Sequence, residues 1–344
     1  MAHEIYKNKK VFITGHTGFK GSWLAMWLHQ LGAEVVGYSL PAEELSHFNL
    51  LNLPIKNYFQ NINDEASLVS ALKESKPDII FHLAAQALVR DSYDNPIATY
   101  DTNVLGTMKV YWAALQANVQ CLVSITTDKV YENHEWLWGY REVDQLGGYD
   151  PYSSSKACVE IMTDSFRRSF LCDHKMFLAT ARAGNVIGGG DWARDRLIPD
   201  LVRNASIGKR TPIRNPKSIR PWQHVLEPLH GYLMLGEQLL LGKREFCSSF
   251  NFGPETSDVA SVDEMCLLAK NHWANIETEF IEDRSKHEAG LLKLDITKAR
   301  ERLFWKPTWN SVKTTEVTID WYKDFYQNKK INSMQNLKDY TERL

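Results

Sequence analysis

Five side chains within residues 127–156 have types that together can move protons: Thr127, Asp128, Lys129, Tyr152 and Lys156. Tyr152 and Lys156 are four residues apart, so on a helix they share one face. An ammonium beside a phenol stabilises the phenolate and lowers the pKa of the phenol, which makes Tyr152 a candidate base near neutral pH. The segment therefore predicts a reaction centre for proton transfer.

Tyrosine and lysine at this spacing are a weak signal when taken alone. The same spacing recurs at residues 6–10 and 326–330, where nothing in the surrounding sequence suggests a site. The context at residues 152–156 is what raises its value, because a glycine loop lies upstream and an Asp-Pro pair directly precedes Tyr152. Spacing and context together favour a catalytic role.

Two elements must position these side chains. The apolar run 123–126 reads as a buried strand, and its end delivers residues 127–129 to the carboxyl edge of a sheet, where open α/β folds bind ligands. Asp150 reads as a helix N-cap and Pro151 as the first helical residue, so a helix begins directly before Tyr152. A strand end and a helix start are therefore expected to meet at the site.

A glycine-rich loop near residue 15 indicates a nucleotide cofactor. Residues 15–21 have the spacing G-x-x-G-x-x-G between a predicted strand, 10–14, and a predicted helix, 23–31, with a second strand at 35–38. Glycines let the backbone approach a pyrophosphate, and the helix start presents free N–H groups and its positive dipole end to that charge. The alternative is a tight turn whose glycines serve packing alone.

The residues that distinguish NAD from NADP are ambiguous. A carboxylate that binds the adenosine ribose of NAD is expected at the end of the second strand, but the chain has Ser39 there. Because that position has no carboxylate, nothing there would repel the 2'-phosphate of NADP, and Lys20 is available in the loop. NAD is the expected cofactor, and NADP stays open.

The order of predicted elements gives the fold class. After the second strand, further strands are predicted to end near residues 62, 82, 127 and 180. This alternation predicts an α/β doubly wound parallel sheet, Rossmann-like, with a smaller C-terminal α/β substrate lobe. Residues 132–149 read as a loop over the pocket or as a surface loop with inward aromatics. The predicted division is a NAD-binding domain of residues 1–183 with return segments at about 226–254, a substrate lobe of residues 184–225 and 255–327, and a polar tail of residues 328–344.

Composition argues against several classes of function. The chain has 344 residues, 40 Lys and Arg against 42 Asp and Glu, and a formal net charge of -2, so no global basic field recruits nucleic acid or an anionic membrane. Its 5 cysteines include no C-x-x-C pair, which argues against a disulfide framework and a zinc site. No signal-peptide pattern or membrane-length apolar run is visible. We expect a soluble, cytoplasmic protein without a metal.

Longer blocks of sequence carry a family resemblance: residues 15–24, 127–129, 131–133, 147–152, 183–192 and 220–225. Through them the chain resembles, over nearly its whole length, the extended short-chain dehydrogenase/reductase family of nucleotide-sugar enzymes. Within that family it resembles the CDP-glucose 4,6-dehydratases in particular, because dTDP-glucose and GDP-mannose dehydratases carry Glu where Lys129 stands. Simple epimerases of the family lack this acid and base pair.

The resemblance implies a mechanism. Tyr152, tuned by Lys156 and aided by Thr127, removes the proton of the sugar 4-hydroxyl while the C4 hydride passes to the nicotinamide. The new 4-ketone makes the C5 proton acidic. Lys129, if neutral, takes that proton and Asp128 protonates the departing 6-hydroxyl. Water leaves, hydride returns to C6 and a proton to C5, so the cofactor is regenerated in each cycle and CDP-glucose becomes a 4-keto-6-deoxy sugar nucleotide.

The expected binding residues form two sets. The cofactor set is Gly15, Thr17, Gly18, Phe19, Lys20, Gly21, Ser39, Asn61, Ile62, Leu83, Ala84, Ala85, Gln86, Asn103, Tyr152 and Lys156. The substrate set, implied by the resemblance, is Asn185, Arg194, Arg196, Leu197, Ile198, Arg220 and His224. Related chains commonly have Asp where Asn61 stands, although Asn can still accept from the adenine amine. For Asn103, a plain structural hydrogen bond is as consistent as a functional one.

Two alternatives stay open. One is a 4,6-dehydratase of another sugar nucleotide, GDP-, UDP- or dTDP-linked, because residues 127–129 concern elimination and not the base. The other is a non-catalytic dinucleotide-binding regulator, against which the complete proton-transfer set argues. The four-helix contact usual in the family, at about residues 104–118 and 153–170, implies a homodimer or a dimer of dimers.

Overall fold

The structure is a computed structural model that describes residues 3–281 and 291–344. The strands are β1 Lys10–Thr14, β2 Glu34–Ser39, β3 Lys56–Phe59, β4 Ile79–His82, β5 Cys121–Ile125, β6 Phe177–Ala183, β7 Val186–Ile187, β8 Thr211–Ile213, β9 Ile219–Arg220, β10 Gln223–His224, β11 Ser249–Phe252, β12 Ala260–Ser261 and β13 Thr278–Phe280. The α-helices are α1 Phe19–Gln30, α2 His47–Leu51, α3 Glu65–Ser75, α4 Val89–Asp94, α5 Pro96–Tyr100, α6 Thr107–Gln116, α7 Pro151–Phe170, α8 Leu197–Ser206, α9 Leu226–Leu240, α10 Val262–His272, α11 Thr297–Leu303, α12 Ser311–Asn328 and α13 Ser333–Thr341.

Seven parallel strands form the main sheet in the order β11-β6-β5-β4-β1-β2-β3. The winding changes direction between β1 and β4, whose carboxyl ends, Thr14 and His82, are paired. A crevice at such a switch point is where open α/β sheets bind ligands. The predicted doubly wound parallel sheet is confirmed.

Apolar residues on both faces of the sheet explain its layered packing. Successive strand residues point to opposite faces, so Ile13 and Phe81 belong to one core cluster and Phe12 and Ile80 to another. Helices α1 and α9 cover the first face, and α3, α6 and part of α7 cover the second. Strands buried on both faces need this continuous apolar composition.

A smaller lobe is built from three short strand pairs and from helices α8, α10 and α12. Its core includes Leu201, Met265 and Trp321, which are fully buried. The boundaries predicted for the two domains stay a prediction. Residues 1–2 of the first predicted domain and residues 282–290 of the predicted lobe lie outside the described residues.

Two predicted boundaries near the cofactor loop are wrong. Helix α1 begins at Phe19 and not at residue 23, because Gly18 in an extended conformation serves as its N-cap. Strand β3 ends at Phe59, before Asn61, because the Asn61 side chain accepts a hydrogen bond from the backbone N–H of Asn63 at 2.9 Å and forms a turn. The last glycine of the loop therefore lies in the first turn of a helix.

The predicted polar tail, residues 328–344, is wrong as well, because it contains helix α13. Leu337 and Tyr340 on this helix are buried although the segment is polar in composition. The Tyr340 hydroxyl donates to the carboxylate of Glu227 on α9 at 2.7 Å, and the N–H groups of Thr308 and Trp309 donate to the same carboxylate. Glu227 thereby fastens two later segments to the first lobe.

We expect Glu227 to make stability depend on pH. Burial raises the pKa of Glu227 from 4.5 to about 7, so its contribution is fully present below about pH 4.5 and is lost as the pH rises through about 7. Glu227→Gln mimics the protonated acid. The free energy of unfolding of the wild type, relative to this variant, should fall by about 3 kcal/mol across that window. Denaturant unfolding at pH 4.5, 6 and 8 measures it, and a difference that is constant with pH contradicts it.

Candidate active site

A cleft of about 1260 Å³ opens at the carboxyl ends of the central strands. Single-ligand pockets commonly measure roughly 300–1,000 Å³, so this cleft has room for a dinucleotide and a second ligand together. The glycine loop and residues 125–129 lie on its wall, as do the start of α7 and residues 183–200 from the smaller lobe. The cleft thus joins both lobes.

The end of β5 presents the predicted acid and base to the cleft. Thr127 caps a short 3-10 turn, Asp128–Val130, and donates its hydroxyl to Asp128 Oδ1 at 2.9 Å. The Lys129 ammonium lies 3.4 Å from the same oxygen and 3.4 Å from Asn185 Oδ1. A side chain at Gly184 would place Cβ 2.8 Å from Asp128 Oδ2, which explains the glycine. Acid and candidate base are in direct contact.

Helix α7 begins as predicted and places Tyr152 and Lys156 on the cleft wall. Asp150 is its N-cap and accepts from the N–H of Ser153 at 2.9 Å, with Pro151 in the first turn. The Lys156 ammonium is buried and donates to the carbonyl of Ile125 at 3.2 Å. The helix therefore ties its lysine to the last residue of β5.

The predicted low pKa of Tyr152 is wrong for the protein by itself. Burial raises the pKa of Tyr152 to about 12, although the Thr127 hydroxyl opposes this shift. Burial also lowers the pKa of Lys156 to about 8. Tyr152 is only 9% exposed and Lys156 only 4%, so lost hydration outweighs the attraction between phenolate and ammonium. The phenolate that can accept a proton is therefore a minor protonation state of the protein by itself.

The glycine loop fits a pyrophosphate. Gly15 has φ of 76°, and a Cβ there would lie 2.7 Å from the backbone nitrogen of Ala84, so only glycine is accommodated. Gly18 caps helix α1 without a side-chain hydrogen bond to the first turn, so the helix N-terminus faces the cleft without a capping side chain. Free N–H groups and the positive end of the helix dipole suit an anion.

Most of the predicted cofactor set lines the same cleft. The hydroxyls of Thr17 and Ser39 form a hydrogen bond of 2.8 Å beside the loop. The predicted cofactor residues on the cleft wall are Gly15, Thr17, Gly18, Phe19, Lys20, Gly21, Ser39, Asn61, Ile62, Leu83, Ala84, Ala85, Tyr152 and Lys156. Burial and then the nearby Arg196 lower the pKa of Lys20 to about 7.

Gln86 and Asn103 do not line the cleft wall. The Asn103 side chain accepts from the Gln86 N–H at 2.9 Å and donates to the Gln86 carbonyl at 3.0 Å and to the Ser155 hydroxyl at 2.8 Å. Ser155 in turn donates to the carbonyl of Tyr152. Asn103 therefore joins the loop after β4 to the helix of Tyr152, which is the structural alternative raised for it.

His224 also lies outside the cleft wall, which corrects its predicted place in the substrate pocket. Its ring is fully buried between Trp23 and Trp309, with ring centroids 5.8 Å and 5.0 Å away. Neither residue of the short strand β10 is among those that line the cleft. The other predicted substrate residues line it: Asn185, Arg194, Arg196, Leu197, Ile198 and Arg220.

Two further arginines, which belong to neither the cofactor set nor the substrate set given above, also line the cleft wall. Arg214, whose nitrogen lies 2.9 Å from Asp195, follows strand β8. Arg90 on α4 of the first lobe approaches the same carboxylate at 3.7 Å. Asp195 adopts the left-handed conformation, φ 59°, that presents its carboxylate between them. Arg214 belongs to an arginine-rich stretch of the sequence, residues 194–220, which suits an anionic diphosphate, whereas no pattern in the sequence singled out Arg90.

No helix among the described residues has the length and hydropathy needed to cross a bilayer. Within residues 3–281 and 291–344, no cluster of three or more His, Cys, Asp or Glu side chains is arranged to hold a metal ion.

Comparison with known proteins places these features in context. Residues 12–317 match the family model described as GDP-mannose 4,6 dehydratase. The CDP-glucose 4,6-dehydratase of Salmonella typhimurium is 44% identical over 97% of this chain and 97% of that protein. The UDP-glucose 4-epimerase of Mycoplasma pneumoniae is 26% identical over 92% of this chain and 97% of that protein.

Solved structures share the fold. An epimerase from Methanothermobacter thermautotrophicus superposes with a TM-score of 0.83 at 25% identity, covering 94% of this chain and 95% of that chain. A dTDP-glucose 4,6-dehydratase from Streptomyces venezuelae, solved with NAD bound, superposes with a TM-score of 0.80 at 22% identity, covering 92% of this chain and 97% of that chain.

Proposed function

Because the chain belongs to the GDP-mannose 4,6-dehydratase family of nucleotide-sugar enzymes, we propose that it removes water from CDP-D-glucose to give CDP-4-keto-6-deoxy-D-glucose. The 44% identity to a CDP-glucose 4,6-dehydratase over 97% of both chains supports this substrate. The observation that carries the proposal is the meeting, on one cleft wall, of Thr127, Asp128, Lys129, Tyr152 and Lys156 beside the glycine loop.

The first half of the proposed reaction belongs to α7 and the end of β5. Tyr152 accepts the proton of the sugar 4-hydroxyl, and the Thr127 hydroxyl favours the phenolate that this requires. The Lys156 ammonium, held by the carbonyl of Ile125, compensates the phenolate charge. NAD, held beside these residues by the glycine loop, would supply the hydride acceptor and donor that the reaction needs.

The second half belongs to Asp128 and Lys129. Lys129 takes the C5 proton, which the 4-ketone makes acidic, and Asp128 gives a proton to the departing 6-hydroxyl. The contact of 3.4 Å between them allows one proton transfer to convert the ion pair into the neutral amine and acid that this step needs. The two forms have the same net charge, so no proton has to enter from solvent. Water then leaves across C5 and C6.

For the cofactor we propose NAD, with Glu43 in place of the carboxylate missing at Ser39. Glu43 lies on the cleft wall together with Ser39 and Leu40, four residues beyond the end of β2. A carboxylate there repels a 2'-phosphate. Glu43→Gln should weaken NAD binding and improve NADP binding, so that the ratio of NAD affinity to NADP affinity falls about tenfold. Calorimetry with each cofactor measures this ratio. Glu44→Gln, the adjacent carboxylate, is the matched control, and an unchanged ratio for Glu43→Gln contradicts the assignment.

The experiment that tests the function is incubation of the purified protein and NAD with CDP-glucose, dTDP-glucose, UDP-glucose and GDP-mannose in parallel. Alkaline absorbance detects a 4-keto-6-deoxy sugar, and mass spectrometry detects the loss of water. Turnover confined to CDP-glucose is the expected result. Turnover of another sugar nucleotide alone overturns the substrate and keeps the chemistry. Cofactor binding without loss of water from any of them overturns the dehydratase proposal in favour of a regulator.

We propose a homodimer or a dimer of dimers, with a second copy covering the outer faces of α6 and α7. Trp112 on α6 and Ile161 and Phe170 on α7 are large apolar side chains that are 39%, 59% and 49% exposed. Ile161→Lys should place a charge in that contact and give the mass of one chain by light scattering at micromolar concentration. Leu267→Lys, on the exposed side of α10, is the control. A wild type that is monomeric contradicts the proposal.

The cytoplasmic location expected from the cysteines stays a proposal. All five cysteines are free, and two of them, Cys121 and Cys266, are buried in different core clusters. Free thiols persist in a reducing compartment.

A further inference from the structure

A buried carboxylate that the proposed steps do not use lies beneath the reaction centre. Glu160 is one helical turn after Lys156 on α7 and is only 2% exposed. Its Oε1 accepts from the Thr126 hydroxyl at 2.5 Å, and its Oε2 accepts from Thr180 at 2.8 Å, Arg182 at 2.9 Å and Ser249 at 3.1 Å. Four donors therefore fix this carboxylate in one position.

We propose that Glu160 is a positioning residue for proton transfer, which keeps Lys156 protonated and fixes the end of β5 opposite α7. This inference rests on the proposed dehydratase reaction. Residues four apart lie on the same face of a helix, so the Glu160 carboxylate is on the side of α7 that carries the Lys156 ammonium. Thr126, which binds Glu160, directly precedes Thr127. One carboxylate thus contacts both elements of the site.

The charges around Lys156 show why a fixed carboxylate matters. Burial lowers the pKa of Lys156 to about 8, and Glu160 opposes that shift. Lys20 on α1 and Lys156 repel each other, which disfavours a second positive charge. His82 on β4 is neutral near pH 7, because burial lowers its pKa to about 3. From β5, the carbonyl of Ile125 accepts from the ammonium, while Asp128 and Lys129 at the strand end carry opposite charges.

Counting the protons on Tyr152 and Lys156 together makes the role of Glu160 measurable. The reactive state has phenolate and ammonium together, and it contains as many protons as the state with phenol and amine. The reactive fraction therefore rises with pH until the pair loses one proton, near pH 8, and is constant above that. In the rising part of the profile, below about pH 8, this fraction does not depend on Lys156. The height of the plateau, by contrast, increases with the proton affinity of Lys156.

The test compares the pH dependence of kcat for holoenzyme and CDP-glucose in the wild type and Glu160→Gln. We expect the pH at which kcat levels off to move about one unit lower and the plateau to fall about tenfold, with rates at low pH that coincide with the wild type. Thr180→Val is the matched control, because it removes one hydrogen bond to Glu160 and leaves the charge. In this variant kcat should level off at the same pH as in the wild type.

If kcat of Glu160→Gln is lower than that of the wild type by the same factor at every pH, the proposal is overturned, because a merely structural role produces that result. Full activity with kcat levelling off at the wild-type pH overturns it as well. If the single variant does not fold, the double variant Glu160→Gln/Arg182→Gln leaves no unpaired buried charge and should show the same shift.

A second readout does not need turnover. The titration of the Lys156 side chain, followed by carbon NMR and assigned with Lys156→Met, should have a lower midpoint in Glu160→Gln than in the wild type. Equal midpoints overturn the inference even when the dehydratase reaction is present. Absence of turnover in the wild type, by contrast, counts against the proposed function and leaves the NMR comparison intact.

Discussion

Tyr152→Phe is expected to lower kcat for CDP-glucose by about a thousandfold while the KM changes by only a few-fold. General acid–base groups commonly contribute about 10²–10⁴-fold to rate, and this variant removes the proposed base without removing the ring that fills the site. Tyr152 is 9% exposed, so phenylalanine occupies the same volume and no large cavity is created. Steady-state kinetics by mass spectrometry of the product measures the effect.

The control for Tyr152→Phe is Tyr111→Phe on α6. That phenol is also buried and is hydrogen-bonded to the Thr163 hydroxyl at 2.8 Å, but it does not line the cleft. Loss of its hydroxyl should lower stability by about 1 kcal/mol and leave kcat unchanged. A Tyr152→Phe enzyme that retains a tenth or more of the wild-type kcat would remove Tyr152 from its proposed role.

Lys129→Ala is expected to slow the loss of water by about 10²–10⁴-fold without preventing oxidation at C4. Lys129 is proposed as the base at C5, so its removal stops the reaction after the ketone has formed. Borodeuteride quenching should then reduce the accumulated ketone to a hexose that is deuterated at C4 and still carries its 6-hydroxyl. In deuterated solvent, C5 of that trapped sugar should contain no deuterium.

Lys129→Arg distinguishes a base from a fixed charge. Arginine keeps a positive charge near Asp128 and Asn185, which lie 3.4 Å from the lysine ammonium, but it cannot be deprotonated. An arginine variant as inactive as the alanine variant supports proton abstraction. An arginine variant with near wild-type turnover shows that Lys129 acts through its charge, and the base must then be another group.

The parallel sheet, the glycine loop and a strand leading to Thr127 could be predicted from the sequence because these depend on local patterns, although β5 ends two residues earlier, at Ile125. Apolar runs, glycine spacing and an Asp-Pro helix start each report their own backbone conformation. The family membership predicted from longer blocks is confirmed by the match over residues 12–317 and by the 44% identical relative. The roles given to individual site residues stay predictions.

Features that depend on packing between distant segments could not be predicted from the sequence. Helix α13 looked like a polar tail because its buried face comprises only Ser333, Asn336, Leu337 and Tyr340. The burial of His224 depends on Trp23 and Trp309, which are far away in sequence. The raised pKa of Tyr152 likewise follows from its tertiary burial and not from its spacing to Lys156.

The pairing of β11 with β6 has a consequence for synthesis on the ribosome. Strand β6 ends at Ala183, whereas its outer neighbour begins at Ser249, so the edge of β6 stays open while the intervening chain is made. At about 5–20 residues per second, this leaves an unpaired edge exposed for several seconds. Such edges invite pairing with other chains. Nascent chains that stall within the smaller lobe are therefore expected to be the aggregation-prone species, and clients of chaperones.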